Sequence, residues 1–142
     1  TIVSCCSEGA MLAPRKAENL RVTPDAGIVA ALDLLDLREG ELLADLGAGD
    51  GRVLVAAAQR TPGLRCLGVE IDEARVADAT ARVEEAGVGD RVRVVCGNAL
   101  EEGHLEGVDA VFLYCATHGM AQLRRVLEGL PRAVRVVAMS YP

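Results

Sequence analysis

The predicted fold is decided by the stretch Asp45-Leu46-Gly47-Ala48-Gly49-Asp50-Gly51. A leucine-rich run over residues 41–46 leads into it, and a helix-forming run over residues 52–60 follows it. A strand, a glycine-rich turn and a helix in this order are typical of ligand sites in α/β proteins, because glycine permits φ > 0 and lets a ligand approach the bare backbone. The start of the helix adds unpaired N–H groups and the positive end of the helix dipole. We therefore expect a ligand to bind at this turn.

Strands and helices alternate in the predicted secondary structure. A helix begins at Thr23-Pro24-Asp25, with Thr23 as its cap and proline in its first turn. The helix reaches about Leu37, and its apolar face is formed by Ile28, Val29, Ala31, Leu32 and Leu35. The strands are predicted at residues 41–46, 64–70, 91–96, 108–114 and 134–140, and the further helices at 52–60, 73–86 and 117–129, with a short helical or loop segment at 99–105.

This alternation predicts an α/β fold. The sheet is doubly wound and mainly parallel, with helices on both faces, which gives three αβα layers. Residues 1–22 show no clear period and are predicted to be an irregular N-terminal arm, so that residues 23–142 form a single domain. Parallel sheets of this kind bind ligands at the carboxyl ends of their strands, where the strand order reverses.

Composition excludes several classes of partner. The chain has 142 residues and a net charge of −6, with acids and bases interspersed, and this argues against binding by neutralisation of phosphates. Only three aromatic residues are present, which makes stacking on single-stranded bases improbable. The five cysteines contain no C-x-x-C pair and favour a reducing, cytoplasmic compartment, with a mitochondrial one also compatible. His104 and His118 have no ligand-spaced partners, so no metal site is predicted.

Polar residues follow the predicted strands at the edge where a ligand is expected: Asp45, Glu70, Asn98 and Tyr114. A carboxylate at Asp45, two residues before the first glycine, suits a ligand with a cationic end better than a pyrophosphate. At Glu70 an acid can accept hydrogen bonds from both hydroxyls of a ribose. The alternative for Glu70 is a solvated carboxylate at a strand end.

Two kinds of adenosine cofactor would use such a site. A nicotinamide or flavin site expects the pattern G-x-G-x-x-G, but Arg52 stands at the third glycine position. Asp45 also occupies a position where dinucleotide sites usually have an apolar residue. An NAD-dependent oxidoreductase is therefore the lesser alternative.

Three motifs resemble the cofactor motifs of class I S-adenosylmethionine-dependent methyltransferases: Asp45–Arg52, Gly68–Asp72 and Gly97–Ala99. The resemblance extends in order and spacing over residues 23–142. Within that superfamily the chain is similar to a small branch related to mitochondrial protein-lysine methyltransferases. The pointers to that branch are Thr23-Pro24, Gly49-Asp50-Gly51-Arg52, Leu113-Tyr114 and Arg135-Val136-Val137.

The resemblance implies a role for each motif residue. The methionine part of S-adenosylmethionine would be surrounded by Asp45, Gly47, Ala48, Gly49 and Gly51, with Thr23 either a contact or only a helix cap. Glu70 would hold the ribose, and Ile71 would pack on the adenine. The adenine edge would bind Asn98 and the backbone of Ala99; the family more often has Asp at position 98. Tyr114 would orient the methyl acceptor, or else complete the core of its strand.

The resemblance also implies a Rossmann-like strand order of 3-2-1-4-5, with the usual C-terminal hairpin lacking or truncated. The last strand would then be an open edge, covered by the N-terminal arm, by residues outside the sequence or by a second protomer in a homodimer. The implied activity is methyl transfer to an unidentified acceptor, a protein lysine or a small molecule being favoured over nucleic acid. The alternative is a non-catalytic partner module that binds the cofactor.

Overall fold

The computed structural model describes residues 2–6 and 23–141. The strands are β1 (Ile2–Cys6), β2 (Leu42–Leu46), β3 (Arg65–Glu70), β4 (Val92–Cys96), β5 (Ala110–Ala116) and β6 (Arg135–Tyr141). The helices are α1 (Asp25–Leu35), α2 (Arg52–Arg60), α3 (Glu73–Glu85) and α4 (Thr117–Glu128), with a 3₁₀ turn at Glu102–Leu105. Among the described helices, none has both the length and the apolar character needed to cross a membrane.

All six strands belong to one parallel sheet in the order β1-β6-β5-β2-β3-β4. Strands β2 to β6 thus have the predicted order 3-2-1-4-5, which is confirmed. The order reverses at β2, which pairs with β3 on one side and with β5 on the other. The carboxyl ends of these three central strands therefore meet at the edge where ligands bind in such sheets.

Helices cover both faces of the sheet. On one face, buried side chains of α1, α2 and α3 pack against Leu43 and Phe112. On the other face, Leu123 and Leu127 of α4 pack against Ala44 and neighbouring strand residues. Because side chains alternate along a strand, Asp45 points to the same face as Leu43, toward α1 and α2. The sheet therefore places this acid under the helical layer that carries the glycine-rich turn.

The N-terminal residues correct one prediction. The irregular arm predicted for residues 1–22 is wrong for Ile2–Cys6, which form β1, whereas residues 7–22 lie outside the described residues. Strand β1 runs parallel to β6, from Ile2 beside Val136 to Cys6 beside Ser140. Of the three covers considered for the edge of the last strand, the structure shows the N-terminal arm, since β1 pairs with β6. Five residues are too few for a period of two to be recognised in the sequence.

Helix α1 differs from its prediction in three ways. Its N-cap is Pro24, which makes no side-chain hydrogen bond, so Thr23 is not the cap. It ends at Leu35 because Asp36 adopts a left-handed conformation with φ of 46°. Val29, predicted on the apolar face, is 56% exposed, whereas the other four predicted residues are buried. The helix is apolar around much of its circumference, and the sequence pattern alone therefore misjudged which side faces the sheet.

Candidate functional site

The glycine-rich turn leaves β2 and is fastened to the neighbouring strand. The backbone N–H groups of Gly47 and Ala48 donate to the carbonyl of Val69 in β3, at 2.8 and 3.0 Å. Gly47 has φ of 89°, and a side chain built there would find no atom within 4 Å. The backbone of this residue is therefore held in place while the space above it stays open to a ligand.

Gly51 differs from Gly47, because there is no room for a side chain at its position. It is the N-cap of α2 with φ of 79°, and a Cβ at this position would lie 3.0 Å from the Cβ of Ala79 and 3.1 Å from its Cα. A side chain would therefore push α3 away from the turn. Gly51 therefore allows the turn and α3 to pack closely, and it does not line the cavity described next.

A cavity of about 380 Å³ lies over the carboxyl ends of β2, β3 and β5. This volume is within the usual range for small-molecule and cofactor sites. Nine of the eleven predicted site residues line it: Thr23, Asp45, Gly47, Ala48, Gly49, Glu70, Ile71, Ala99 and Tyr114. The structure thus brings together residues that are up to 91 positions apart in the sequence, from Thr23 to Tyr114.

Asn98 is the second predicted residue outside the lining. Its side chain is exposed, and Oδ1 accepts a hydrogen bond from the backbone N–H of Leu100 at 2.9 Å. This local bond is typical of asparagine after a strand, where the side chain closes a turn on its own backbone. In this structure the turn presents Ala99, and not the Asn98 side chain, to the cavity.

Glu70, at the end of β3, is buried and fully engaged with the backbone. Its Oε2 accepts a hydrogen bond from the N–H of Gly49 at 2.8 Å, and its Oε1 accepts one from the N–H of Asp72 at 3.1 Å. The interpretation of Glu70 as a solvated carboxylate is therefore wrong. Each carboxylate oxygen has a further lone pair, so both can still accept a hydrogen bond from a ligand hydroxyl.

Asp45, at the end of β2, is 1% exposed, and its Oδ2 has no hydrogen-bond partner within residues 23–141. Burial, followed by the negative charges of Glu70 and Asp50, raises the pKa of Asp45 to about 8. A buried carboxylate without donors is unstable as an anion. A cationic group that entered the cavity would stabilise the charged form and lower this pKa.

The cavity lining also includes apolar side chains. Tyr114 of β5 is partly buried and lines the cavity, as do three aliphatic side chains from three elements, Leu46, Val53 and Leu123. Thr23, immediately before α1, is also buried at the cavity wall. The cavity therefore has carboxylates at the ends of β2 and β3 and aliphatic side chains from β2, α2 and α4.

The prediction missed several lining residues, of which the charged ones are Asp50, Arg52, Arg75 and Asp78. Asp50 and Arg52 form an ion pair of 2.9 Å across the glycine-rich turn. Burial raises the pKa of Asp50, but hydrogen bonds and charge from Arg52, and then the charge of Arg82, lower it below its ordinary value. Arg75 and Asp78 are three residues apart on α3, a helical spacing that could have indicated a shared face.

The residues present fit S-adenosylmethionine. The unpaired Oδ2 of Asp45 matches a cationic amino or sulfonium group, and the bonded carboxylate of Glu70 matches ribose hydroxyls. The open backbone at Gly47 leaves room for a ligand. A Rossmann-like parallel sheet with this site at its switch point defines the class of S-adenosylmethionine-dependent methyltransferases.

Comparison with known proteins identifies the family. The model of the ANTKMT methyltransferase domain matches residues 45–142, and the chain belongs to this family. It is an S-adenosylmethionine-dependent methyltransferase, as the resemblance of its motifs implied. The lesser alternative of an NAD-dependent oxidoreductase finds no support in this match.

The relatives are named for different methyl acceptors. A protein-lysine N-methyltransferase of Saccharolobus islandicus is 31% identical over 120 residues, which cover 84% of this chain and 74% of the relative. An RNA methyltransferase of Salinibacter ruber, solved with S-adenosyl-L-homocysteine, has a TM-score of 0.78 and 35% identity, and the match covers 83% of this chain and 76% of that one. A geranyl diphosphate methyltransferase solved with S-adenosylmethionine has a TM-score of 0.57 and 30% identity, covering 66% of this chain and 38% of that one.

Proposed function

We propose that this methyltransferase acts on the side-chain amine of a protein lysine. The observation that carries the proposal is the similarity to a protein-lysine N-methyltransferase along most of both chains. The net charge of −6 supports it, because an acidic protein attracts basic segments and repels polyphosphates.

In this proposal residues at the carboxyl ends of β2 and β3 would hold the cofactor in the cavity. Asp45 would pair with the amino group of its methionine part, and the backbone of Gly47, Ala48 and Gly49 would line that part. Glu70 would accept hydrogen bonds from the ribose hydroxyls. Ile71, whose side chain is 72% exposed, would cover one face of the adenine and lose that exposure on binding. Bound S-adenosylmethionine supplies an electrophilic methyl group on a positively charged sulfur.

Other residues of the cavity lining would then receive the acceptor. An amine must arrive with its lone pair free, and apolar surroundings lower the pKa of a lysine because they disfavour its charged form. Leu46, Val53 and Leu123 provide such surroundings. Tyr114 would orient the nitrogen in line with the methyl group, and alignment of this kind can contribute about 7–11 kcal/mol to a reaction. The chain's own part in the transfer would be to hold the neutral amine in line, with its proton given up to water.

An RNA acceptor is the second candidate, since the Salinibacter relative is described as an RNA methyltransferase. The acidic charge of this chain is unfavourable for it, because RNA binding depends strongly on neutralisation of phosphates by Lys and Arg.

The test is a labelling experiment with two acceptor pools. The protein is incubated with methyl-labelled S-adenosylmethionine and either RNase-treated lysate protein or purified total RNA. We expect label in protein, recovered as methyl-lysine after acid hydrolysis, and its loss with the Asp45→Asn variant. Label only in RNA, or in protein on residues other than lysine, would overturn the proposal.

A further inference from the structure

We propose that Arg82, on the third turn of α3, is a positioning residue that holds the glycine-rich turn in its cofactor-binding geometry. This inference concerns the cofactor and is independent of the identity of the methyl acceptor. Arg82 itself lies outside the cavity lining, so it would act through the turn and not by contact with the ligand.

Arg82 contacts both the main chain and the side chain of one turn residue. Its Nε donates to the backbone carbonyl of Asp50 at 3.0 Å, and a terminal guanidinium nitrogen lies 3.2 Å from Oδ2 of the same residue. A guanidinium nitrogen of Arg52 contacts the same oxygen, Oδ2, at 2.9 Å. The N–H of the Asp50–Gly51 peptide donates to the carbonyl of Ala48 at 3.0 Å, and the bond from Arg82 to its carbonyl holds the other side of the same peptide.

A second contact lies one turn earlier on the same face of α3. Ala79 is fully buried and sits so close to Gly51 that no side chain fits between them. Residues 79 and 82 are three apart, so both point to the same side of the helix. Together they fasten the end of the turn to α3 by close packing and by a charge-assisted hydrogen bond.

The beginning of α3 is fastened to the same site. Asp72 caps the helix by accepting hydrogen bonds from the N–H groups of Ala74 and Arg75, and its own N–H donates to Glu70. Glu70 in turn binds the N–H of Gly49. The turn and the strand-end acid are therefore held against one rigid helix, and the turn is bound to that helix at two separate places.

Loss of the guanidinium should weaken cofactor binding more than chemistry. The turn would sample other peptide orientations in the free protein, and ligand binding would have to select the open one. Arg82 is 46% exposed, so the effect should be modest. We expect the dissociation constant to rise by about three- to tenfold, the range that one net hydrogen bond supplies.

The experiment compares Arg82→Met, which keeps most of the aliphatic stem, with Arg93→Met. Arg93 is exposed on the edge strand β4, so its replacement removes the same charge away from the turn. S-adenosyl-L-homocysteine affinity is measured by calorimetric titration, and KM for S-adenosylmethionine and kcat by product formation. We expect Arg82→Met to raise the dissociation constant and KM with kcat nearly unchanged, Arg93→Met to change neither, and Arg82→Lys to recover part of the affinity.

A further variant separates the carbonyl contact from the ion pair. In an Asp50→Asn background the carboxylate charge is absent but the backbone carbonyl remains. If Arg82 positions the peptide, Arg82→Met should still weaken binding in this background by at least twofold. Unchanged affinity in both backgrounds, equal losses in Arg82→Met and Arg93→Met, or a fall in kcat at constant affinity would each overturn the inference.

Discussion

Asp45 and Glu70 end neighbouring strands and are similarly buried, yet their carboxylates are bonded in opposite ways. Glu70 accepts a backbone N–H on each oxygen, whereas Oδ2 of Asp45 has no partner among residues 23–141. The ribose end of the proposed site is therefore formed before a ligand arrives. The end that would meet the methionine part is left electrostatically incomplete, and a ligand cation would complete it. Preformed sites lose little energy in ordering, while incomplete ones discriminate strongly between ligands of different charge.

We expect the largest effect when the carboxylate of Glu70, at the preformed end of the site, is removed. Glu70→Ala would leave the N–H groups of Gly49 and Asp72 without their acceptor and would also remove the proposed ribose contact. We expect the free energy of unfolding to fall by about 1–3 kcal/mol, and cofactor affinity to fall on the order of 100-fold or more. Denaturant unfolding and calorimetric titration measure the two quantities. Glu84→Ala, an exposed acid on α3, is the control, and an equal loss of affinity there would contradict the assignment.

Removal of the Asp45 carboxylate should raise the free energy of unfolding, whereas removal of the Glu70 carboxylate should lower it. Asp45→Asn removes a carboxylate whose ionised form is disfavoured by burial, and we expect the ligand-free variant to be about 1–3 kcal/mol more stable than the wild type at pH 8. Cofactor affinity should fall about 10- to 100-fold, since a charge-assisted bond to the amino group is lost. Thermal unfolding with and without S-adenosyl-L-homocysteine tests both signs. A variant that is less stable and binds normally would contradict the proposed role of Asp45.

The pH dependence of stability and of cofactor affinity should also test the role of Asp45. The pKa of Asp45 is raised from its ordinary value of 3.8 to about 8 in the folded protein. Between these values the folded state holds a proton that the unfolded state has released, so this residue makes stability fall as pH rises from about 4 to 8. Binding of a cation should expel that proton, and affinity should increase with pH, approaching tenfold per unit below about pH 7.5, where an α-amino group is still charged.

The difference between wild type and Asp45→Asn isolates this titration from all others. Calorimetry in two buffers of different ionisation enthalpy should show proton release on binding by the wild type at pH 7 and little by the variant. Equal proton release by both proteins would assign the linkage to another group and would leave Asp45 without its proposed cation.

The contrast between the two acids shows what sequence reasoning could and could not establish. The alternation of strands β2 to β6 with helices was predictable from the apolar runs, and the glycine spacing located the turn. The order of these strands in the sheet was implied by the resemblance to class I methyltransferases. Burial of Asp45 with its Oδ2 unpaired was not predictable, since it depends on which atoms of α1, α2 and the turn surround it. The Asp50–Arg82 contact joins positions 32 apart that no motif links. Thr23 was predicted to be a helix cap because threonine followed by proline and an acid is typical of a helix start, whereas the structure has Pro24 as the N-cap.

Tyr114, two residues before the end of β5, should give the smallest effect and the one most specific to chemistry. It lines the same cavity from β5, two residues beyond Phe112, which is the register partner of Asp45. Tyr114→Phe keeps the ring and removes the hydroxyl, so we expect turnover to fall about three- to tenfold, as for the loss of one hydrogen bond, while the affinity for S-adenosyl-L-homocysteine stays within twofold. Leu123→Ile, a small change in another residue of the cavity lining, controls for altered packing. Losses of equal size in turnover and affinity would place Tyr114 among the cofactor contacts, and an unchanged turnover would limit it to the core of β5. Only a fall in turnover alone would make Tyr114 the residue that orients the acceptor, since the energy then lost belongs to the transition state and not to the bound cofactor.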